Sequence, residues 1–548
     1  MKNVLSILFL FVTIFFAKGQ FSAADSLRGG LSPLRSCYDV EFYDLYLQID
    51  FNQKSIRGLN SIRYKVLQGF NMIQLDLFEN MKIDSILHGS QKLDFHRKGN
   101  AFFVDFGRMQ PAGITDVITV YYHGHPIEAQ NPPWDGGFIW RKDEAGNPWL
   151  AVSCEGIGAS LWWPNKDHLS DEPDSMRIRT IVPPNLMSVS NGQLRSVFKN
   201  QYVANYTWVV TYPINNYNVT LNVGNYTHFE DRYTSPTDSS QLAMDYYVLP
   251  EHLEQAKTQF KQAHEVLRTF EKYLGKYPFW NDGYALVETP YLGMEHQSAI
   301  AYGNQFKAGY LGRHPEGMPE DFIILHETGH EWWGNSVSCR DHGEMWLHES
   351  FCTYMEAVFM EEKYGPQAAE RYLKFQYNYI ENKQPLLGPL NVNFLGNDSD
   401  IYYKGAQMLH SLRQCFQNDS LWWASLKGFY QKYKINSVNT QDYIQFVQEF
   451  TGQDYGYFFK QYLEETQIPQ LEYEIYKKGR KRFIRYRWTN CRPDFKMPVF
   501  LINEQHERLA LYPNTQEWQS QVISKKMAKN IQFAYALFLV QELSDQDN

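Results

Sequence analysis

The chain has 548 residues, more than one hydrophobic core usually holds, so two to four domains are expected. A formal charge of −9 and a pI near 6.0 argue against nucleic acid as a partner. Six cysteines (Cys37, Cys154, Cys339, Cys352, Cys415 and Cys491) are too few for a disulfide framework in so long a chain; Cys339 and Cys352 are expected as a buried pair of free thiols, with a bridge between them as the alternative.

Residues 1–19 read as a secretory signal. Lys2 is followed by an apolar run from Val4 to Ala17, and Ala17-Lys18-Gly19 offers small residues at the −3 and −1 positions. The run is short for a membrane span, and no later stretch reaches the required length of about 20 apolar residues. The mature protein is therefore expected to be soluble and exported, periplasmic or extracellular, with an uncleaved anchor as the alternative. From about Tyr38 apolar residues alternate (Tyr43, Leu45, Leu47, Ile49, Phe51), and the habit recurs in Ile62, Tyr64, Val66 and in Ile73, Leu75, Leu77. Residues 20–232 thus read as an all-β domain, and the polar loop Tyr233–Ser240 suits a boundary.

Helical periodicity then takes over. Leu253, Ala256, Phe260, Ala263, Leu267, Phe270 and Leu274 form one apolar stripe, stopped by Gly275 and Pro278. Short strands and further helices fill 233–467, and alternation returns beyond Pro469 in a small β-domain, 468–548. The expected fold class is multidomain α+β. Five Asn-x-Ser/Thr sites, beginning at Asn205, would be glycosylation acceptors in a host that glycosylates exported proteins.

Within the helical part lies His326-Glu327-Thr328-Gly329-His330, with Glu349 nineteen residues past the second histidine. Residues four apart on a helix share a face, with Cβ atoms about 5–6 Å apart, so two imidazoles can converge on one metal ion. Glu327 follows a ligand directly and points elsewhere, free to face the metal's open position. H-E-x-x-H on a helix is a zinc-peptidase signature, and chance would supply it only about 0.03 times in such a chain. The competing reading is a helix with two surface or packed histidines. Pro319-Glu320-Asp321 predicts the helix start and Gly334 its stop; Glu349 opens a second amphipathic segment running to Tyr364. Two histidines and one glutamate leave the fourth tetrahedral position for water, as a catalytic zinc requires. Zinc lowers the pKa of that water from about 15.7 to near 7, and Glu327 would take its proton.

The stretch His326–Val337 (HETGHEWWGNSV), with Trp346-Leu347-His348-Glu349 downstream, resembles the aminopeptidase N family of zinc metallopeptidases, which includes the leukotriene hydrolase branch. Gly293-Met294-Glu295-His296 is similar to the family's G-x-M-E-N motif, and Tyr402-Tyr403-Lys404-Gly405 to its Y-x-K-G segment. Cys154-Glu155, with Trp163-Pro164 and Asp171-Glu172-Pro173, looks like the end of the family's β-domain that reaches into the active site. The similarity runs from about residue 38 to 475. It implies a β-saddle domain and a thermolysin-like catalytic domain, with one zinc ion on His326, His330 and Glu349 and Glu327 as general base. It further implies that Glu295 and Glu155, beside Gly293 and Met294, bind the substrate's free α-amino group, and that Tyr402 stabilises the oxyanion. The chain stops short of the family's large helical domain.

Two positions depart from the pattern: His296 stands where the family most often has Asn, and Glu331 where Gln is usual. Neither is a ligand position. His296, His342 and His348 crowd the same region without fourth-ligand spacing and read as packing groups. The expected function is a zinc aminopeptidase acting on peptides with a free N-terminus. Another zinc hydrolase on the same site (an endopeptidase or epoxide hydrolase) and an inactive peptide-binding homologue are the alternatives. Oligomeric state and preferred first residue are not legible.

Overall fold

The structure, a computed structural model, describes residues 21–541 apart from 395–397, 504–507, 529–530 and 535–536. The segment read as a secretory signal lies outside these residues.

The alternating N-terminal pattern forms a ten-stranded sheet, with Phe70–Asp76 at one edge and Gln193–Lys199 at the other. Strand Tyr38–Asp50 runs antiparallel to Ser55–Val66 and parallel to Ser175–Val182. Its Tyr43, Leu45, Leu47 and Ile49 are buried while Gln48 and Asp50 face water, as a period of two requires. A four-stranded sheet contains Pro148–Ser153, whose end delivers Cys154-Glu155. The chain ahead of Tyr38 is helical rather than β, in Ala23–Gly29 and Pro33–Ser36. Ser22 and Asp25 form a capping box there, a short signal that the longer β pattern obscured.

A five-stranded sheet follows, in the order Thr227–Thr234, Gln241–Val248, Tyr284–Glu288, Ile300–Tyr302 and Gly293–Met294. The polar loop suited to a boundary is the turn of a hairpin in this sheet, because Thr234 pairs with Gln241 across it. Polar residues mark turns within a sheet as readily as linkers between sheets. The stripe from Leu253 folds as two helices, Leu253–Gln259 and Gln262–Tyr273. Phe260, at the break, packs on the rings of Tyr246, Tyr302 and Phe306 with centroids 5.3, 4.9 and 5.7 Å away.

Two three-stranded sheets make up the C-terminal part among the described residues: Gln470–Lys478, Lys481–Thr489 and Gln519–Ile523, then Arg508–Leu511, Val499–Ile502 and Gln532–Phe533. No described helix is long and apolar enough to cross a membrane. All six cysteines are free thiols, Cys339 and Cys352 included.

Candidate metal centre

Helix Phe322–Gly329 begins where the sequence predicts. Asp321 caps it by accepting from the backbone N–H groups of Ile323 (3.1 Å) and Ile324 (3.4 Å), and its carboxylate is held by Tyr302, Gln259 and Asn304. The helix stops at Gly329, five residues before the expected Gly334. His330 lies just past the end but keeps helical backbone, and its N–H donates to the His326 carbonyl at 3.2 Å, so the four-residue spacing survives. Gly334 serves another purpose. Its φ is +125°, and a Cβ there would sit 3.1 Å from His330 Nδ1, so the chain passes close beside the imidazole. The second helix, Trp346–Tyr364, carries Glu349 in its first turn.

Three atoms converge. His326 Nε2 lies 3.1 Å from His330 Nε2 and 3.1 Å from Glu349 Oε2, and His330 Nε2 is 3.4 Å from that oxygen. Ligands about 2.0–2.1 Å from a tetrahedral zinc stand roughly 3.3 Å apart, so the spacing fits the ion. The outer nitrogens fix the tautomer. His330 Nδ1 meets the carbonyl of Trp333 at 3.0 Å and His326 Nδ1 meets Glu356 Oε1 at 2.7 Å. Both partners can only accept, so each Nδ1 carries the proton and each Nε2 presents a lone pair to the same point. Two lone pairs and a carboxylate aimed together, with all three residues buried, call for a cation. Glu356 also accepts from Tyr310 Oη at 2.7 Å and from Tyr372, which hold it against His326.

Glu327 is buried beside this point, its carboxylate grouped with that of Glu295 and a ring nitrogen of His330 within 4.8 Å. Burial pushes its carboxyl up to about 8, against the pull of His326 and His330. Gly293, in the edge strand Gly293–Met294, leaves room for it: a Cβ at Gly293 would overlap Glu327 Oε1 and lie 2.9 Å from Cδ. Glu295 follows directly and accepts from the Tyr217 hydroxyl at 3.0 Å. Carboxylate oxygens of Glu155, Glu295 and Glu349 lie within 4.8 Å of one another, and burial and the charge of Glu295 raise the Glu155 pKa. Met294 joins Ile139, Ala151, Tyr291 and Ala301, drawn from neighbouring strands and a loop, in a small apolar cluster.

Tyr402 stands at the start of helix Tyr403–Phe416, its ring centroid 5.8 Å from that of His326. Burial raises its phenol well above the ordinary value, so the hydroxyl stays a donor. The motif's glycine has a packing cause: a Cβ on Gly405 would overlap Ser350 on the helix bearing Glu349. Ser350 in turn donates to the Ile401 carbonyl at 2.6 Å, which ties the Tyr402 turn to the ligand helix.

Every site residue expected from the sequence gathers here. The three extra histidines are held neutral by burial, His296 and His348 at about 3 and His342 at about 4. His348 Nε2 accepts the Cys339 N–H at 2.7 Å; the ring nitrogens of His296 have no hydrogen-bond partner among the described residues. Glu331 accepts from Tyr277 Oη at 2.8 Å and from the Ser298 N–H at 2.9 Å, and burial pushes it up to about 8. Sequence reasoning missed Tyr217 and Glu356. Glu356 had a signal, since it lies seven residues, two helical turns, past Glu349 on the same face. Tyr217 had none, because it reaches Glu295 from 78 residues away.

Two histidines and one glutamate, buried and lined by further carboxylates, form a donor set that could hold a metal ion. Residues 258–462 match the Peptidase family M1 domain. Aminopeptidase N from Lactococcus lactis is 26% identical over 167 residues, covering 28% of this chain and 19% of that protein. A protein named Probable aminopeptidase 1 from Sulfurisphaera tokodaii is 20% identical over 496 residues, 86% of this chain and 59% of that one. Leukotriene A-4 hydrolase from Xenopus laevis is 23% identical over 441 residues, 75% and 68% of the two chains. Among solved structures, a mutant M1 zinc metallopeptidase from Deinococcus radiodurans bound to a Tyr-Ser-Ala substrate superposes with a TM-score of 0.66 at 19% identity, covering 78% of this chain and 95% of that one. The chain thus carries a Peptidase family M1 domain over residues 258–462 and resembles M1 zinc metallopeptidases in fold. It spans only part of the first two relatives' length, 19% and 59%.

Proposed function

We propose that this chain is an exported zinc aminopeptidase that removes residues from the N-terminus of peptides, using one ion per chain. The observation that carries the reading is the meeting of three metal-ligand atoms, 3.1 to 3.4 Å apart, with the carboxylates of Glu327, Glu295 and Glu155 beside them. When bound, zinc on His326, His330 and Glu349 supplies a Lewis acid and an acidified water at neutral pH.

The rest falls to the protein's own groups. Glu327 accepts the water's proton and returns it to the leaving amine. The Tyr402 hydroxyl donates to the oxyanion, a contact typically worth about 3 kcal/mol in the transition state. Glu295 and Glu155 pair with the substrate's α-ammonium. Burial and the neighbouring Glu295 raise the Glu155 pKa, and an ammonium between the two carboxylates relieves the repulsion. Removing one partner from a buried pair costs about 3–5 kcal/mol, enough to make a free amine a requirement and to fix cleavage one residue in. Tyr217 holds Glu295 in place through its hydroxyl. Export rests on the charge and apolar pattern of residues 1–19.

An amino-acid amide and its N-acetylated twin test the reading. The zinc-loaded protein should hydrolyse the first and spare the second; equal turnover would end the exopeptidase proposal.

A further inference from the structure

The hairpin Gln470–Lys478 and Lys481–Thr489 treats charge in two opposite ways along its length. Near its root, residues facing each other across the strands carry opposite charges. Glu472 faces Arg487 and Glu474 faces Arg485, with ion-pair contacts of 2.6 and 2.7 Å. At its tip the rule reverses: Lys477 faces Arg482 and Lys478 faces Lys481. Like charges directly opposite each other destabilise a hairpin, so folding alone gives no reason for them. Arg480, in the two-residue turn that the positive φ of Gly479 permits, adds a fifth cation. All five are exposed and have no ion pair among the described residues. Exposed Lys525 follows two residues after Ile523, the strand-end partner of Arg482. This concentration sits on a chain whose net charge is −9.

The tip borders an apolar row. Tyr476 and Phe483 stack with centroids 5.3 Å apart, and Val522, paired with Phe483, is 55% exposed. Trp518 lies further along, under Arg485 and Arg487. Cations bordering half-exposed aromatic and aliphatic side chains suit a bilayer surface, where charge meets headgroups and rings sit at the interface. We propose that this hairpin tip docks the protein on anionic lipid headgroups. A polyanion in solution would use the cations but leave the apolar row without a role.

Flotation of the full-length protein with phosphatidylcholine vesicles, with and without phosphatidylglycerol, tests this. The expected result is binding to the anionic vesicles only, lost in about 0.5 M salt. Lys481→Glu with Arg482→Glu turns both tip pairs into opposite-charge pairs, so it should keep or raise thermal stability. The same double variant should weaken anionic-vesicle binding by more than about tenfold, with hydrolysis in solution unchanged. Equal binding by the double variant, or no vesicle binding by the parent protein, would overturn the proposal. Binding to heparin without binding to vesicles would overturn it in favour of a soluble polyanion.

Discussion

Gly293→Ala separates folding from catalysis at a single atom. The added Cβ would lie 2.9 Å from Glu327 Cδ and 3.0 Å from Ile323 Cγ2, and would overlap Glu327 Oε1. Carbon contacts settle at about 3.5 Å, so Cδ must retreat by roughly 0.6 Å and the oxygen by more, on the order of 1 Å. Apart from Ile323 Cγ2, which must give by a few tenths of an ångström, the atoms struck are the free end of the flexible Glu327 side chain, which can turn away at small cost to the fold. The three metal ligands need not move. A catalytic group displaced by about 1 Å can lose on the order of 10²-fold in rate. The variant should therefore fold with a melting temperature close to that of the parent and bind zinc normally, yet show kcat reduced by roughly 10²-fold on an aminoacyl reporter substrate. Activity within about threefold of the parent, far short of that expected loss, would refute the placement of Glu327 as proton carrier.

Three further outcomes follow from contacts around the site and in the core. Tyr217→Phe removes the donor to Glu295 and should raise KM for free-amine substrates by about tenfold with kcat little changed; an unchanged KM would remove Tyr217 from substrate binding. Glu356→Ala leaves His326 Nδ1 without its acceptor and should weaken zinc binding by about 10–100-fold in competition with a chelator. An affinity equal to the parent's would show that Tyr310, Tyr372 or solvent can replace that carboxylate. His410 is buried, and burial holds it at about 3, against about 6.5 in an unfolded chain. Between those values the unfolded chain binds the extra proton, so stability present at neutral pH is lost as pH falls through this window. From pH 7 to pH 5 this amounts to about 2 kcal/mol, and His410→Gln should shrink the fall in urea-unfolding free energy by that much. The same fall in both proteins would mean that His410 is protonated in the native state.

The parts legible in the sequence are those whose information is local. His326 and His330 are tied by helical spacing, and Glu349 sits in the first turn of a segment with clear apolar periodicity. The strands from Tyr38 declare themselves because one face is buried and the other wet. What stayed hidden depends on distant partners. Tyr217 is one of 38 tyrosines, and only the fold brings it to Glu295. Gly334 resembles a helix stop, but the chain had already left the helix at Gly329 and needs Gly334 to clear His330. The loop after Tyr233 resembles a linker because polarity alone cannot tell a hairpin turn from a domain junction. Gly293 and Gly405 are motif letters in the sequence; their reasons, Glu327 and Ser350, appear only once side chains share space.

Zinc content and turnover, measured together on the parent, Glu327→Ala and Glu349→Ala proteins, probe the central claim most directly. The account predicts about one zinc per chain in the parent and in Glu327→Ala, far less in Glu349→Ala, and turnover in the parent alone. Full zinc occupancy in Glu349→Ala, or turnover by Glu327→Ala, would contradict it.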